Sequence, residues 1–92
     1  MNFFPEQEEE VLVEEQLTTE SHELIVFNDD VNTFDNVIAA LIEICEHTPE
    51  QAEQCTLIIH YKGKCAVKLG SINILTTMRN AICKRGISAE VF

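Results

Sequence analysis

The sequence predicts a small α+β sandwich in the order β-α-α-β-α-β, with three helices covering one face of a three-stranded, mainly antiparallel sheet. Three observations carry that expectation. Short stretches of strand length and strand composition occur near residues 23–28, 64–69 and 87–92. Three stretches between them carry apolar residues at helical spacing, and each follows a residue that can cap a helix. A chain of 92 residues makes one domain, which buries about two-thirds of the surface its unfolded form exposes. A deep internal active site is therefore not expected.

The first strand runs from about residue 23 to 28 and stops at Asn28, Asp29 and Asp30, residue types that leave regular structure for turns. Asn32 fits the cap of the first helix, with Asp35 three residues on, close to a capping box. Phe34, Val37, Ile38, Leu41, Ile42 and Cys45 then form one apolar stripe. Thr48, Pro49 and Gln51 announce the second helix as cap, first position and third position. Its buried face comprises Ala52, Cys55, Thr56 and Ile59, and it ends at Tyr61-Lys62-Gly63 with His60 in the last turn.

Residues 64–69 alternate, placing Cys65, Val67 and Leu69 on one face and Lys64, Ala66 and Lys68 on the other. Ser71 caps a third helix whose stripe is Ile74, Leu75, Met78, Ala81 and Ile82, and Lys84-Arg85-Gly86 stops it. Residues 87–92 close the sheet. Cys45, Cys55, Cys65 and Cys83 fall inside apolar patterns and form no Cys-x-x-Cys pair, so reduced, half-buried thiols are expected.

The net charge is −10, and residues 1–23 hold eight Glu with no Lys or Arg. Residues 24–92 carry eight acidic and six basic residues. No basic patch is available to replace counterions on phosphates, which excludes nucleic acid, and anionic membrane with it. Apolar runs are too short for a membrane span, and the Glu-rich start lacks a basic n-region, so a cytoplasmic location is expected. Residues 1–22 read as a flexible acidic extension, in which 11–17 could form a transient helical turn, and residues 23–92 read as the core domain.

Asn28 and Asp29 leave the first strand, and His60 lies at the end of the second helix. An amide oxygen, a carboxylate and a neutral imidazole are three acceptors, the complement of an ammonium group with three N–H donors. A free α-amino group has a pKa of about 7.7 to 8.0 and is mostly charged at neutral pH. Phe34, Val37 and Ile59 could form an apolar slot for one bulky side chain beside it. The same residues also suit turn chemistry and a favourable helix-end charge. Catalytic patterns are missing: there is no G-x-S-x-G, Walker loop or zinc spacing. A calcium-loop start at Asp30 and Asn32 fails for want of the Gly and the closing Glu. Neither an enzyme nor a cofactor or metal site is expected.

LIVFNDDVNTFDNVI, IIHYKGKCAV and the spacing from Asn28 to His60 resemble the ClpS adaptors of the bacterial Clp proteases, over roughly residues 23–92. The resemblance implies an adaptor that binds N-degron proteins through their free N-terminus and a first residue of Leu, Phe, Tyr or Trp; with no obvious dimer seam in the sequence, a monomer is expected. It would deliver them to a ClpA- or ClpC-type AAA+ unfoldase coupled to the ClpP protease. Asn28, Asp29 and His60 would hold the α-amino group. Asp30 would mainly order the loop. Asn32, Phe34, Val37, Thr56, Ile59 and, from the last strand, Ile87 would form the loop and pocket wall. Asn32, Thr33, Phe34 and Thr56 depart from the residues usual in the family. Asn73 and Met78 stand where some members carry charged residues that dock the unfoldase. The rival expectation is a protein-interaction domain similar to the C-terminal domain of the ribosomal stalk protein, which shares the element order and binds no N-degron.

Overall fold

The computed structural model describes residues 21–92, so the expected acidic extension lies, up to residue 20, outside the described residues, as does the helical turn expected at 11–17. The order is β1 (His22–Phe27), α1 (Phe34–Cys45), α2 (Pro49–Lys62), β2 (Lys64–Gly70), α3 (Ile72–Lys84) and β3 (Ala89–Val91). The sheet runs β2-β1-β3, and both pairings are antiparallel. The most apolar strand is thus the central one: Leu24 and Val26 are fully buried, while Ile25 and Phe27 are partly so and Glu23 is exposed. Strand β1 starts at His22, one residue before the expected core.

Helix α1 begins one residue later than its expected cap. Thr33 takes the cap position and accepts from the Asn36 N–H at 3.1 Å. Asn32 is diverted to partners farther away, described below. At the other end Glu46 adopts a left-handed conformation with φ 63°, and its N–H donates to the Leu41 carbonyl. Helix α2 starts as expected, with a complete capping box between Thr48 and Gln51 and Pro49 in the first turn. Gly63 closes it at φ 96°, a backbone conformation in which a side chain is strained.

Strand β2 departs from simple alternation. Leu24 opposes Lys68 and Ile25 opposes Ala66, which leaves Val67 as an extra residue in a β-bulge. The inserted residue reverses the faces beyond it. Lys68 comes to share a face with buried Leu24, and its Nζ donates to the Cys45 carbonyl at 3.0 Å, at the end of α1. Leu69, expected inside, is 64% exposed. Val67 is buried, and its carbonyl accepts from Nε2 of buried His47 at 2.7 Å, so that ring nitrogen carries the proton.

Ser71 caps α3 as expected. Leu75 and Ile82 of its stripe are buried, but Ile74 is 56% exposed. Leu24, Leu41, Leu75 and Ile82 form the centre of the core, between the three helices and one face of the sheet. The four cysteines are free, as expected, with Cys45 fully buried and the others partly so. Burial pushes the Cys45 thiol up to about 11 against the pull of Lys68.

Candidate functional site

The end of β1 and the end of α2 are joined through the backbone. The Asn28 N–H donates to the Gly63 carbonyl at 2.9 Å, which fixes the strand exit beside the last turn of α2. A cavity of about 270 Å³ opens at this junction, lined by Asn28, Asp29, Asp30 and His60 together with Asn32, Thr33, Phe34, Val37, Thr56 and Ile59. Small-molecule sites usually span about 300 to 1,000 Å³, so this one has the scale of a single side chain. The three acceptors expected from two separate elements therefore line one cavity, with the expected apolar residues beside them.

Asp29 organises the loop. Its Oδ1 accepts from the Val31 and Asn32 N–H groups at 2.9 and 2.8 Å, and its Oδ2 accepts from Asn32 Nδ2 at 2.9 Å. An ionised carboxylate has about four acceptor sites, so roughly one is left for a ligand. The hydrogen bonds from the Asn32 backbone, then from its side chain, hold the Asp29 carboxyl below the usual carboxylate range, with a smaller part from Val31 and desolvation opposing. Asp30, expected to order the loop, is exposed and makes no hydrogen bond among the described residues. The ordering role falls to Asp29 because its side chain can close back on the two N–H groups that follow it.

Asn32 is the hub that the sequence pattern assigned to helix capping. Its Nδ2 also donates to the Gly86 carbonyl at 2.8 Å, and its Oδ1 accepts from Asn36 Nδ2. One side chain thereby ties the loop to α1 and to the turn after α3. Thr33 lines the cavity and caps α1, a double position that residue type alone does not disclose.

Phe34 stands edge-on to His60, with ring centroids 5.3 Å apart, and His60 is edge-on to Tyr61 at 5.0 Å. Tyr61 stands outside the cavity, largely exposed, whereas Phe34 and His60 line it. Val37, Thr56 and Ile59 are buried at its inner wall. Ile87, expected on that wall, is a correction: it is buried in the core and does not line the cavity. The short β3 begins only at Ala89, and the Ile87 N–H turns back toward the Ile82 carbonyl of α3.

Electrostatics at the mouth favour a cation. Two carboxylates and no Lys or Arg line the cavity. The last turn of α2 brings the negative end of that helix dipole to His60, while Asp35 in the first turn of α1 offsets the positive end there. No group of His, Cys, Asp and Glu among the described residues could hold a metal ion.

A second, shallower concavity lies between α1 and α3, lined by Ile44, Ile74, Met78 and Ala81 with Glu43, Asn73 and Thr77. It shares no residue with the first. No helix among the described residues is long and apolar enough to cross a membrane.

The profile of the family described as ATP-dependent Clp protease adaptor protein ClpS matches residues 18–90. The chain belongs to the ClpS family. The family is described as one of adaptors of the ATP-dependent Clp protease. The ATP-dependent Clp protease adapter protein ClpS of Treponema denticola is 31% identical over 67 residues, 73% of this chain and 66% of that protein. The ClpS of Thermosynechococcus vestitus is 39% identical over 62 residues, covering 62% of this chain and 66% of that one. The chain thus matches just under two-thirds of the length of these relatives. The structure of Agrobacterium tumefaciens ClpS2 bound to L-phenylalaninamide superposes with a TM-score of 0.76 at 14% identity, covering 79% of this chain and 95% of that one. At that identity the likeness is one of fold.

Proposed function

We propose that this adaptor reads protein N-termini, taking the α-ammonium group at the cavity mouth and a bulky apolar first side chain in the cavity itself. The observation that carries the reading is one small cavity lined both by Asn28, Asp29 and His60 and by Phe34, Val37 and Ile59. The Asn28 amide oxygen, the remaining acceptor site of Asp29 and the His60 imidazole each accept one N–H, and Asp29 supplies the countercharge. The apolar wall contributes about 1.5 to 3 kcal/mol for a Leu or Phe side chain taken out of water. The ligand named for Agrobacterium ClpS2, an amino-acid amide with a free α-amino group and a benzyl side chain, has the chemistry this reading requires.

Captured proteins beginning with Leu, Phe, Tyr or Trp pass to a ClpA- or ClpC-type unfoldase and ClpP. Delivery needs a face that remains free while the cavity is filled. The concavity between α1 and α3 meets that condition, because it shares no lining residue with the cavity. Residues 23–92 act as the adaptor core and the acidic residues before them as an extension, in the cytoplasm and as a monomer.

The test is calorimetric binding of a peptide beginning with Phe and of its N-acetylated twin. Acetylation removes the charge and two of the three donors, so binding is expected to fall at least tenfold, and equal affinity refutes the reading. Binding of the free peptide should also weaken as pH rises through about 8, where the ammonium is lost.

A further inference from the structure

The cavity grades from an exposed polar rim to a buried inner wall, and that wall contains one polar side chain. Val37 and Ile59 are apolar, whereas Thr56, which lines the same cavity and is only 2% exposed, carries a hydroxyl. Its Oγ1 donates to the Ala52 carbonyl one turn back in α2, at 2.7 Å. A hydroxyl has one hydrogen and two lone pairs, so the donor is spent and the oxygen is left purely as an acceptor. Among the described residues no donor engages it. A buried acceptor with free lone pairs gains from a donor brought by a ligand and gains nothing from hydrocarbon.

Building on the proposed function, we propose that Thr56 is a specificity-determining residue that favours N-terminal residues with a donor at the far end of the side chain, Tyr and Trp, over Phe and Leu. The ammonium clamp fixes the backbone end of the first residue at the rim. The side chain then points inward along Val37 and Ile59, and its tip is the part that meets the inner wall. A Tyr hydroxyl or a Trp indole N–H that loses water there recovers a hydrogen bond from the Thr56 oxygen. Without such an acceptor, burying the donor unpaired would disfavour Tyr and Trp. A site with a committed hydrogen-bonding partner discriminates more sharply than an apolar wall, which distinguishes side chains mainly by size.

The experiment pairs ligand and protein changes. Four peptides differing only in their first residue, Phe, Leu, Tyr and Trp, are titrated against the full chain, Thr56→Val and Thr56→Ser. Val keeps the shape and removes the oxygen, and Ser keeps the oxygen. Thr56→Val is expected to lose about threefold to tenfold for Tyr and Trp, the scale of one neutral hydrogen bond, with Phe and Leu changed by less than about twofold. Thr56→Ser should retain the Tyr and Trp preference. Circular dichroism and thermal melting of Thr56→Val and Thr56→Ser, read independently of binding, establish that each variant is folded before its titrations are compared. A uniform loss across all four peptides, or no change for any, overturns the Thr56 assignment while leaving N-terminal recognition intact. Equal binding of N-acetylated and free Phe peptide instead overturns that recognition, and the Thr56 assignment with it.

Discussion

The start of α1 and the start of α2 use similar residues for different ends. At α2, Thr48 and Gln51 satisfy each other's backbone within four residues, and nothing distant intrudes. At α1, Asn32 stands where a cap was expected but serves Asp29, Asn36 and the Gly86 carbonyl, the last 54 residues away in sequence. Thr33 caps in its place. A polar residue therefore follows its local rule when no more distant group competes for it. The entrance to α2 is built for stability, and the entrance to α1 is built to hold a cavity.

Asp29 offers the largest effect with which to break that contrast. Asp29→Ala removes the countercharge and all three loop hydrogen bonds, and should weaken peptide binding by about a hundredfold. Asp29→Asn keeps an oxygen able to accept from the Val31 and Asn32 N–H groups but lacks the charge, and should lose only about tenfold. Fluorescence anisotropy with a labelled Phe peptide separates the two. Equal losses would mean that the loop bonds contribute nothing to binding.

What was legible in the sequence divides along the same line. Thr48-Pro49-Gln51, Ser71 and Gly63 were readable because their partners lie within a turn of the chain. Residue chemistry named the three acceptors and the apolar slot, but that they meet depends on the packing of α2 against the sheet, which no local pattern discloses. Leu69 and Lys68 were assigned to the wrong faces because a single inserted residue, Val67, reverses a period-two pattern without any mark in composition. Asp29 and Asp30 exchanged the ordering role for a related reason. Two adjacent aspartates have the same chemistry, and only the direction of the loop decides which closes on Asn32. Ile87 has the apolarity of a pocket residue, but its backbone turns toward α3.

A smaller effect compares the two helix starts directly. Thr48→Ala removes a local cap and should cost about 1 kcal/mol of stability in urea, with peptide affinity unchanged. Asn32→Ala should cost a similar amount of stability and also weaken binding about threefold to tenfold, although Asn32 is expected to touch no part of the ammonium group. If both variants lowered affinity alike, the distinction between a stabilising entrance and a site-holding one would fail.

The smallest effect is a titration, and it isolates the hydrogen bonds from everything else. Asn32 holds the Asp29 carboxyl below its usual value in the folded chain, first through its backbone N–H and then through its side chain. Between the ordinary carboxyl pKa and this lowered one, the unfolded chain binds more protons than the folded chain. The contribution to stability is therefore full above the ordinary value of about 3.9 and is lost as pH falls through the lowered one. In Asn32→Ala the backbone N–H remains and the side-chain donor is gone, so the Asp29 pKa should move partway back up. Carboxyl-detected NMR on both proteins reads this directly. A wild-type Asp29 that titrated at the ordinary value, or a variant that did not move, would mean that the loop is not held by Asn32. The cavity mouth would then need another source of order.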